Sequence, residues 1–209
     1  MEQDIRRQLA EIVQFYNLKG WSPATSTNYS FRKSADIPAF FVSRSGIDKS
    51  QFGPNDFLEV DLEGNPTFYF KGNRPSAETL IHSVIYKLFP ATTIVLHSHS
   101  VNSVLISEFF DKEITFEGYE IQKAFAGQTT HANKLHFPIL DNDQDMLAFS
   151  QLMLQHEAEL KNHAFLIRKH GFYAWGDTLL DAKKHLEALE YLMEIAVQKL
   201  KMGSNHEQK

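Results

Sequence analysis

Two histidines stand two positions apart at the end of an apolar segment of the chain. His97 and His99 follow Ala91–Leu96, a largely β-branched and aliphatic run that is typical of a buried strand. Because alternate side chains of a strand point to the same face, both imidazoles would project side by side where the strand reaches the surface. Two imidazoles on one rigid edge are the beginning of a divalent metal site.

His170 is the third residue of this kind, and it follows a second apolar segment, Phe165–Ile167. A third nitrogen ligand that leaves one coordination position open would make the site catalytic rather than structural. The spacing also permits a simpler interpretation, in which two hydrogen-bonded histidines end a strand, because His-x-His is short and common. The residues by themselves leave both interpretations open.

The elements that would position these histidines are a mixture of strands and helices. Their apolar periodicities and flanking turn residues favour strands over 40–43, 57–61, 91–97, 135–140, 164–167 and 171–175, and helices over 5–16, 76–88, 101–109, 120–125, 143–157 and from 178 onward. Strict alternation of strand and helix is absent. The pattern therefore predicts a single three-layer α/β/α domain with a central mixed, largely antiparallel sheet.

Local signals make sharper predictions at four places. Pro138 has no backbone N–H, which predicts that the strand over 135–140 lies at an edge of the sheet. Ser76 is predicted to cap the helix that Pro90 stops. Thr178 and Asp181 form a capping-box pattern at the start of the long C-terminal helix. Beyond that helix, residues 203–209 are predicted to form a polar, frayed tail.

The composition restricts the classes to which the protein can belong. A length of 209 residues suits one domain, predicted over residues 1–209, and 43% hydrophobic residues are enough for a substantial core. A net charge of −5 with scattered basic residues argues against nucleic-acid binding, and no apolar stretch is long enough to span a membrane. The absence of cysteine excludes disulfides and thiolate ligands, and it favours a cytoplasmic location.

The order and spacing of several short segments resemble the class II aldolase and adducin-like family. The resemblance runs from about Gly20 to the end of the last helix. The segments that carry it are Ala24–Ser30, Ser43–Gly46, Pro75–Thr79, His97–Ser100 and Arg168–Gly171, the last followed by Trp175 and Gly176. Within the family, Trp21–Asn28, Tyr119–Lys123 and Arg168–Gly176 are most similar to its sugar-phosphate dehydratases.

This resemblance implies a metal, an assembly and a reaction. It implies that His97, His99 and His170 bind one Zn²⁺ per subunit, or another divalent transition metal. It also implies a homotetramer whose active sites lie at subunit interfaces. The implied activity is dehydration of a small sugar phosphate, 5-methylthioribulose 1-phosphate, to 2,3-diketo-5-methylthiopentyl 1-phosphate in methionine salvage. In such chemistry the cation is a Lewis acid and a carboxylate transfers the proton.

Two glutamates compete for the role of that carboxylate. Glu120 occupies the position that the dehydratase pattern uses as its acid/base, and the resemblance favours it. Glu78 stands where the aldolases of the family keep their proton-transferring glutamate, so we expect a second carboxylate near the metal. Without the resemblance, either residue would be interpreted as an ordinary glutamate in the first turn of a helix, where the macrodipole favours it.

The candidates for binding the phosphate are polar residues in turns. Ser45 and Gly46 lie in a predicted turn, and Ser76 lies at a helix N-terminus, where backbone N–H groups attract anions. The resemblance places Asn28 in the loop that cradles the phosphate, although this loop is not glycine-rich here. Lys123, one turn after Glu120, is a further candidate for contact with the substrate.

Two other functions remain in competition. An aldolase or epimerase acting on another sugar phosphate would share the metal site, although Tyr119–Lys123 favours dehydration. Adducin-like domains use the same fold for interaction without catalysis, and the presence of all three histidines argues against that function. Of the other aromatic and histidine residues, His82 is not expected to be a primary ligand, and Tyr173 is interpreted as a core or interface side chain.

Overall fold

Eight strands form a single sheet in residues 2–204, the part of the chain that this computed structural model describes. They are β1 (Tyr29–Phe31), β2 (Ala39–Ser43), β3 (Phe57–Asp61), β4 (Ile94–Ser98), β5 (Glu113–Phe116), β6 (Leu135–Leu140), β7 (Ala164–Ile167) and β8 (Gly171–Gly176). Their order across the sheet is β3-β2-β1-β4-β8-β7-β6-β5, and every neighbouring pair is antiparallel except β6 and β7. The predicted mixed, largely antiparallel sheet is confirmed.

Helices cover both faces of this sheet. The α-helices of the described residues are α1 (Glu2–Leu18), α2 (Thr79–Leu88), α3 (Val101–Phe109), α4 (Met146–Gln155) and α5 (Leu179–Ser204). Helices α1, α3 and α5 pack on one face, and α2 and α4 pack on the other. Alternation along β8 serves both layers, because Phe172 and Ala174 enter the first core while Tyr173 and Trp175 enter the second. The three-layer α/β/α architecture is therefore confirmed.

The two central strands, β4 and β8, position the histidines. Every residue of both strands is buried, which explains why their sequences are nearly continuous apolar runs. The strands are antiparallel, with His97 opposite Tyr173 and Ser98 opposite Phe172. The end of β4 and the start of β8 consequently lie side by side, at the same end of the two paired strands.

The prediction that the strand over 135–140 is an edge strand is wrong. It is β6, and it lies between β7 and β5, a strand that the sequence did not predict. Pro138 stands opposite Glu113, and the adjacent N–H of Ile139 donates to the carbonyl oxygen of Lys112 at 2.7 Å. Beside the proline, the contact with the β5 side thus uses the N–H of Ile139, and the pairing with β7 begins only after Pro138, at Ile139.

Several helices begin or end a few residues from their predicted limits, and those of α2 and α5 bear on the predicted caps and tail. Helix α2 begins at Thr79 rather than at Ser76, whose hydroxyl accepts from the Glu78 N–H at 3.3 Å in the turn before the helix. The predicted cap of α5 is confirmed, because the Asp181 N–H donates to Thr178 Oγ1 at 3.1 Å. Helix α5 continues to Ser204, so the first two residues of the predicted tail are helical, and residues 205–209 lie outside the described part.

None of the helices in residues 2–204 combines the length and the apolar character needed to cross a membrane.

Candidate metal centre

The three histidines meet where β4 ends and β8 begins. His97 is the fourth residue of β4, His99 follows the end of that strand, and His170 directly precedes β8. The Nε2 atoms of His97 and His99 are 2.7 Å apart. The ring of His170 lies 4.5 Å from that of His99 and 5.2 Å from that of His97, measured between centroids. The structure thus brings His170 to the pair, although more than seventy positions of the sequence separate them.

A glycine makes this close approach possible. A Cβ atom on Gly171 would lie 2.2 Å from the carbonyl oxygen of Ser98 and 2.8 Å from Cδ2 of His99. No side chain fits at that distance, so only glycine lets β8 start directly against the His97–His99 segment. Lys169, two residues before Gly171, has a φ of +55°, and this left-handed backbone conformation turns His170 back toward β4.

Glu78 completes the cluster from the start of α2, on the face of the sheet that the side chains of His97 and Tyr173 share. It precedes the first residue of α2, and its carboxylate oxygens lie 3.2 Å from His97 Nε2 and 3.2 Å from His170 Nε2. One ligand atom from each of Glu78, His97, His99 and His170 lies within 4.8 Å of the others. Four side chains from three separate stretches of sequence therefore converge on one point.

Burial keeps the side chains of His97 and His99 neutral. Burial lowers the pKa of His97 to about 3 and that of His99 to about 2. The Nδ1 atom of His97 lies 2.9 Å from the carbonyl oxygen of Phe172. A carbonyl oxygen only accepts, so Nδ1 carries the proton and the lone pair of Nε2 faces the cluster.

Glu78 is held ionised by its neighbours. Burial opposes ionisation, but the imidazoles of His97 and His170 and the hydroxyl of Tyr173 together hold the pKa of the Glu78 carboxyl well below its ordinary value. Oxygen Oε2 accepts from the Tyr173 hydroxyl at 2.5 Å and from Asn28 Nδ2 at 2.8 Å. Burial, followed by the charge of Glu78, raises the pKa of Tyr173 well above its ordinary value, so its hydroxyl remains a donor.

A second layer of buried polar groups fixes Asn28. Its Oδ1 atom accepts from His82 Nε2 at 2.5 Å and from the Tyr173 hydroxyl at 3.2 Å. His82 Nδ1 lies 2.7 Å from the hydroxyl of Ser30. Because His82 is fully buried, its pKa falls to about 3 and its ring stays neutral. This chain of contacts sets the orientation of the amide, and the amide in turn orients the carboxylate of Glu78.

The chemistry of the donor set fits a divalent metal ion. The Nε2 lone pair of His97 faces both the carboxylate of Glu78 and the Nε2 atom of His99. One proton can satisfy only one of these contacts, whereas a single cation among the four side chains satisfies all of them. Imidazole nitrogens together with a carboxylate oxygen are ligands that suit zinc and the neighbouring transition metals. The cluster could therefore hold such an ion.

The residues predicted to bind phosphate lie on three segments that meet beside Glu78. The Ser45 N–H donates to the carbonyl oxygen of Arg74 at 3.0 Å, and the Ser76 N–H donates to that of Ser43 at 3.3 Å. These bonds place the exposed turn at Ser45 and Gly46 against the segment before α2. Asn28 reaches the same region, but its side-chain amide is already engaged by Glu78.

Glu120 and Lys123 are not part of this cluster. They lie on a 3₁₀ helix, Glu120–Ala124, that packs against α5. Glu120 is exposed, and its carboxylate lies 2.7 Å from Lys123 Nζ and 3.5 Å from His131 Nδ1. Within one chain, the structure therefore separates the predicted acid/base from the predicted metal ligands.

Sequence reasoning missed the roles of Tyr173 and His82. Tyr173 was interpreted as a core or interface aromatic, yet it donates to Glu78 and stacks on His97 at a centroid distance of 4.0 Å. The available signal was its place in β8, directly across from His97 once the two strands are paired. His82 gave no comparable signal, because a histidine on an apolar helix face is usually only a satisfied core residue.

The chain matches a known family over most of its length. The sequence profile of the Class II Aldolase and Adducin N-terminal domain family covers residues 7–197. The chain belongs to this family. Its sheet and its helical layers are thus those of a class II aldolase-family protein, as the segments of the sequence had indicated.

Relatives within the class II aldolase family carry a more specific name. A methylthioribulose-1-phosphate dehydratase of Picosynechococcus sp. is 49% identical over 94% of this chain and 93% of its own length. The protein of the same name from Pseudomonas syringae pv. syringae is 43% identical, over 90% of this chain and 91% of its own length.

Solved structures of the family share the fold at lower sequence identity. An L-fuculose 1-phosphate aldolase superimposes with a TM-score of 0.77 at 18% identity, covering 96% of this chain and 88% of its own. The L-fuculose-1-phosphate aldolase of Thermus thermophilus gives a TM-score of 0.72 at 24% identity, covering 92% of this chain and 94% of its own. At these identities the likeness supports the fold alone.

Proposed function

We propose that this protein is a metal-dependent lyase that removes water from 5-methylthioribulose 1-phosphate and yields 2,3-diketo-5-methylthiopentyl 1-phosphate, a reaction of methionine salvage. The observation that carries the proposal is the convergence of His97, His99, His170 and an ionised Glu78 in one partly buried cluster. Relatives named as dehydratases of this substrate cover more than nine-tenths of the chain at up to 49% identity. A cytoplasmic location, which a cysteine-free sequence favours, is part of the proposal.

His97, His99 and His170 are the proposed ligands of one Zn²⁺ per subunit, and another divalent transition metal would suit the same nitrogen atoms. A bound divalent ion would stabilise, as a Lewis acid, the negative charge that develops on the ketone oxygen of the substrate. An imidazole that binds a metal ion through its lone pair carries no charge of its own, so three such ligands would leave the full charge of the ion available. Glu78 also faces this position, and its carboxylate balances part of that charge.

Dehydration requires a proton to leave carbon 3 of the substrate and a hydroxide to leave carbon 4. In our proposal Glu120 is the acid/base that transfers the proton and helps the hydroxide to leave as water, a contribution of about 10²–10⁴-fold in rate. Glu78, fixed by Asn28 and Tyr173, is the second carboxylate at the centre. Its low pKa keeps it ionised, so it carries no proton to donate.

The exposed position of Glu120 supports an active site that two subunits share. Glu120 and Lys123 are surrounded by apolar side chains, among which Ile121 is 37% exposed and Tyr191 is 54% exposed. Aromatic side chains such as that of Tyr191 are enriched at protein interfaces relative to the rest of the surface. We therefore propose a homotetramer in which Glu120 and Lys123 of one subunit reach the histidine cluster of its neighbour.

The phosphate group of the substrate is assigned to the three segments that meet beside Glu78. Ser45, Gly46 and Ser76 would donate to its oxygens, and the loop that ends at Asn28 would close the site. The exposure of Ser45 and Gly46 supports this assignment, because a ligand can reach them. Lys123 would approach the substrate together with Glu120, with which it forms an ion pair.

Aldol cleavage of another sugar phosphate is the second candidate function. It is favoured by Glu78, whose ionised carboxylate faces the histidine cluster at the position where the aldolases of the family keep their proton-transferring glutamate. Both reactions would form an enediolate that a bound metal ion could stabilise. Dehydration reaches it by losing the proton of carbon 3, and aldol cleavage reaches it by breaking the bond between carbons 3 and 4.

The test compares both reactions on protein purified without chelators. We expect stoichiometric metal and loss of water from 5-methylthioribulose 1-phosphate, whereas His170→Ala should lose both metal and turnover. Glu120→Gln should keep its metal and lose most activity. Cleavage of a ketose 1-phosphate into two carbon fragments, with 5-methylthioribulose 1-phosphate left intact, would refute dehydration in favour of aldol chemistry.

Mixing two inactive variants tests the shared site. If Glu120 acts across an interface, hybrid tetramers of His97→Ala and Glu120→Gln subunits contain some intact sites and regain part of the wild-type activity. Mixtures that stay inactive after subunit exchange would show that both residues must come from one chain.

A further inference from the structure

Lys49 is a buried lysine that the proposed mechanism does not use. It opens the 3₁₀ turn Lys49–Gln51, and only 1% of its surface is exposed. Lysine is rarely buried to this extent unless its charge is paired. Here the Nζ atom donates to the carbonyl oxygens of Thr25 at 3.2 Å and Ile47 at 3.0 Å.

The charge of Lys49 is not neutralised by an adjacent carboxylate. Among residues 2–204, no carboxylate lies within ion-pair distance of its Nζ atom, and Asp48 and Asp56 act on it only from a greater distance. Burial lowers its pKa to about 8, so the ammonium form still dominates at neutral pH. A buried cation held by two neutral carbonyl groups is costly, and it leaves positive potential in its surroundings.

The two carbonyl groups belong to the loops assigned to the phosphate. Thr25 lies in the loop that ends at Asn28, and Ile47 directly follows the turn of Ser45 and Gly46. Lys49 therefore joins these two loops by one side chain. Its Nζ atom spends two of its three N–H groups on this bridge between the loops.

The first of these loops is also bonded to the metal centre. The carbonyl oxygen of Trp21 accepts from the His99 N–H at 2.8 Å and from the Ser98 hydroxyl at 3.2 Å. Burial is the main cause of the low pKa of His99, and the charge of Lys49 also contributes to it. The ammonium group is thus within electrostatic range of the histidine cluster.

We propose that Lys49 is the residue by which this site selects a phosphorylated substrate: its buried ammonium holds the 24–28 loop against the 45–47 turn and supplies the positive potential for the phosphate group. The inference rests on the proposed function, which places a phosphate ester between these loops. Arg44 and Arg74 flank the same turn, but they are more exposed, so salt screens their charges more strongly. The buried charge of Lys49 is screened much less.

Inorganic phosphate is the probe, because its binding can be measured without turnover. Lys49→Gln removes the charge and keeps a donor for the carbonyl oxygens, Lys49→Met removes both, and Lys49→Arg keeps the charge. By calorimetry at 0.15 M and 0.5 M salt, we expect the two uncharged variants to bind phosphate at least about tenfold more weakly at both ionic strengths. Lys49→Arg should retain most of the affinity, and all variants should keep stoichiometric metal.

Lys161→Met is the matched control, since Lys161 is exposed and lies on the separate 3₁₀ segment Glu157–Asn162. With the sugar phosphate as substrate, Lys49→Gln should raise KM about tenfold or more and change kcat little. Phosphate affinity within twofold of wild type in Lys49→Gln would overturn the proposal. Equal losses in Lys49→Arg, or loss of metal together with phosphate, would overturn it as well, because they indicate a structural role.

This design separates the two proposals. Lys49-dependent phosphate binding in a protein that does not dehydrate 5-methylthioribulose 1-phosphate would refute the proposed function and support the assignment of Lys49. Dehydration of 5-methylthioribulose 1-phosphate together with phosphate binding that does not depend on Lys49 would support the proposed function and refute the assignment of Lys49.

Discussion

Replacing Gly171 by alanine tests whether the approach of β8 to β4 builds the metal centre. The added Cβ would lie 2.2 Å from the carbonyl oxygen of Ser98 and 2.8 Å from Cδ2 of His99. Ordinary contact begins near 3.4 Å, so the end of β4 and the start of β8 must move apart by about 1 Å. Both clashing segments belong to buried central strands, and the nearest atom is backbone, so no rotamer change relieves the contact.

The magnitude follows from these distances. Overpacking a buried site costs about 1–3 kcal/mol, and we expect the upper end, about 3 kcal/mol, because two backbones must separate. The loss of metal affinity should be more pronounced than the loss of folding stability. Ligand distances tolerate only about 0.2 Å of error, and a shift of about 1 Å moves His99 and His170 out of that range. Metal affinity should therefore fall by about 100-fold or more.

The assay measures metal affinity by competition with a chelator, together with urea unfolding of the metal-free protein. Gly176→Ala is the matched control on the same strand, because its Cβ would lie 2.4 Å from the Ala182 nitrogen, away from the histidines. It should destabilise the fold to a similar degree and leave metal stoichiometry unchanged. A Cβ on Gly203, in α5, meets nothing within 4 Å, so Gly203→Ala should cost no stability. Wild-type metal affinity in folded Gly171→Ala would refute the reasoning.

Two further predictions follow from the pKa values of the cluster. Tyr173→Phe removes a hydrogen bond that lowers the pKa of Glu78, so the acid limb of the kcat/KM profile should move to higher pH. Tyr86→Phe is the control, because the hydroxyl of Tyr86 contacts Ser30, and it should leave the acid limb in place. An unchanged acid limb in Tyr173→Phe would show that ionisation of Glu78 does not limit activity. In the metal-free protein, the pKa of His82 is about 3 in the folded state, below its value in the unfolded chain. The free energy of unfolding should therefore fall as the pH drops below about 6.5, and His82 alone should contribute about 1.4 kcal/mol per pH unit. Urea unfolding of His82→Phe between pH 6.5 and 5 should show a shallower decline than that of the wild type; equal slopes would contradict the buried, neutral state of His82.

Much of the fold was predictable from local patterns. The helix over 101–109 and the strands over 57–61 and 164–167 agree with the structure, because the apolar period of each is set by a few neighbouring residues. The capping pattern of Thr178 and Asp181 succeeded for the same reason. The prediction for Pro138 failed because edge or inner position depends on a distant partner strand, Glu113–Phe116, which is short and half exposed.

In the candidate site, too, local sequence patterns decide some features and long-range packing decides the others. The sequence by itself determined the side-by-side arrangement of His97 and His99, since a two-residue spacing at a strand end needs no information from elsewhere in the chain. Only the tertiary structure decided that His170 and Glu78 join them, because this depends on β8 pairing with β4 and on α2 packing across that pair. The same long-range packing gave Tyr173 its contact with Glu78 and left Glu120 at the surface, since side chains distant in sequence meet only where buried strands and helices force their backbones together.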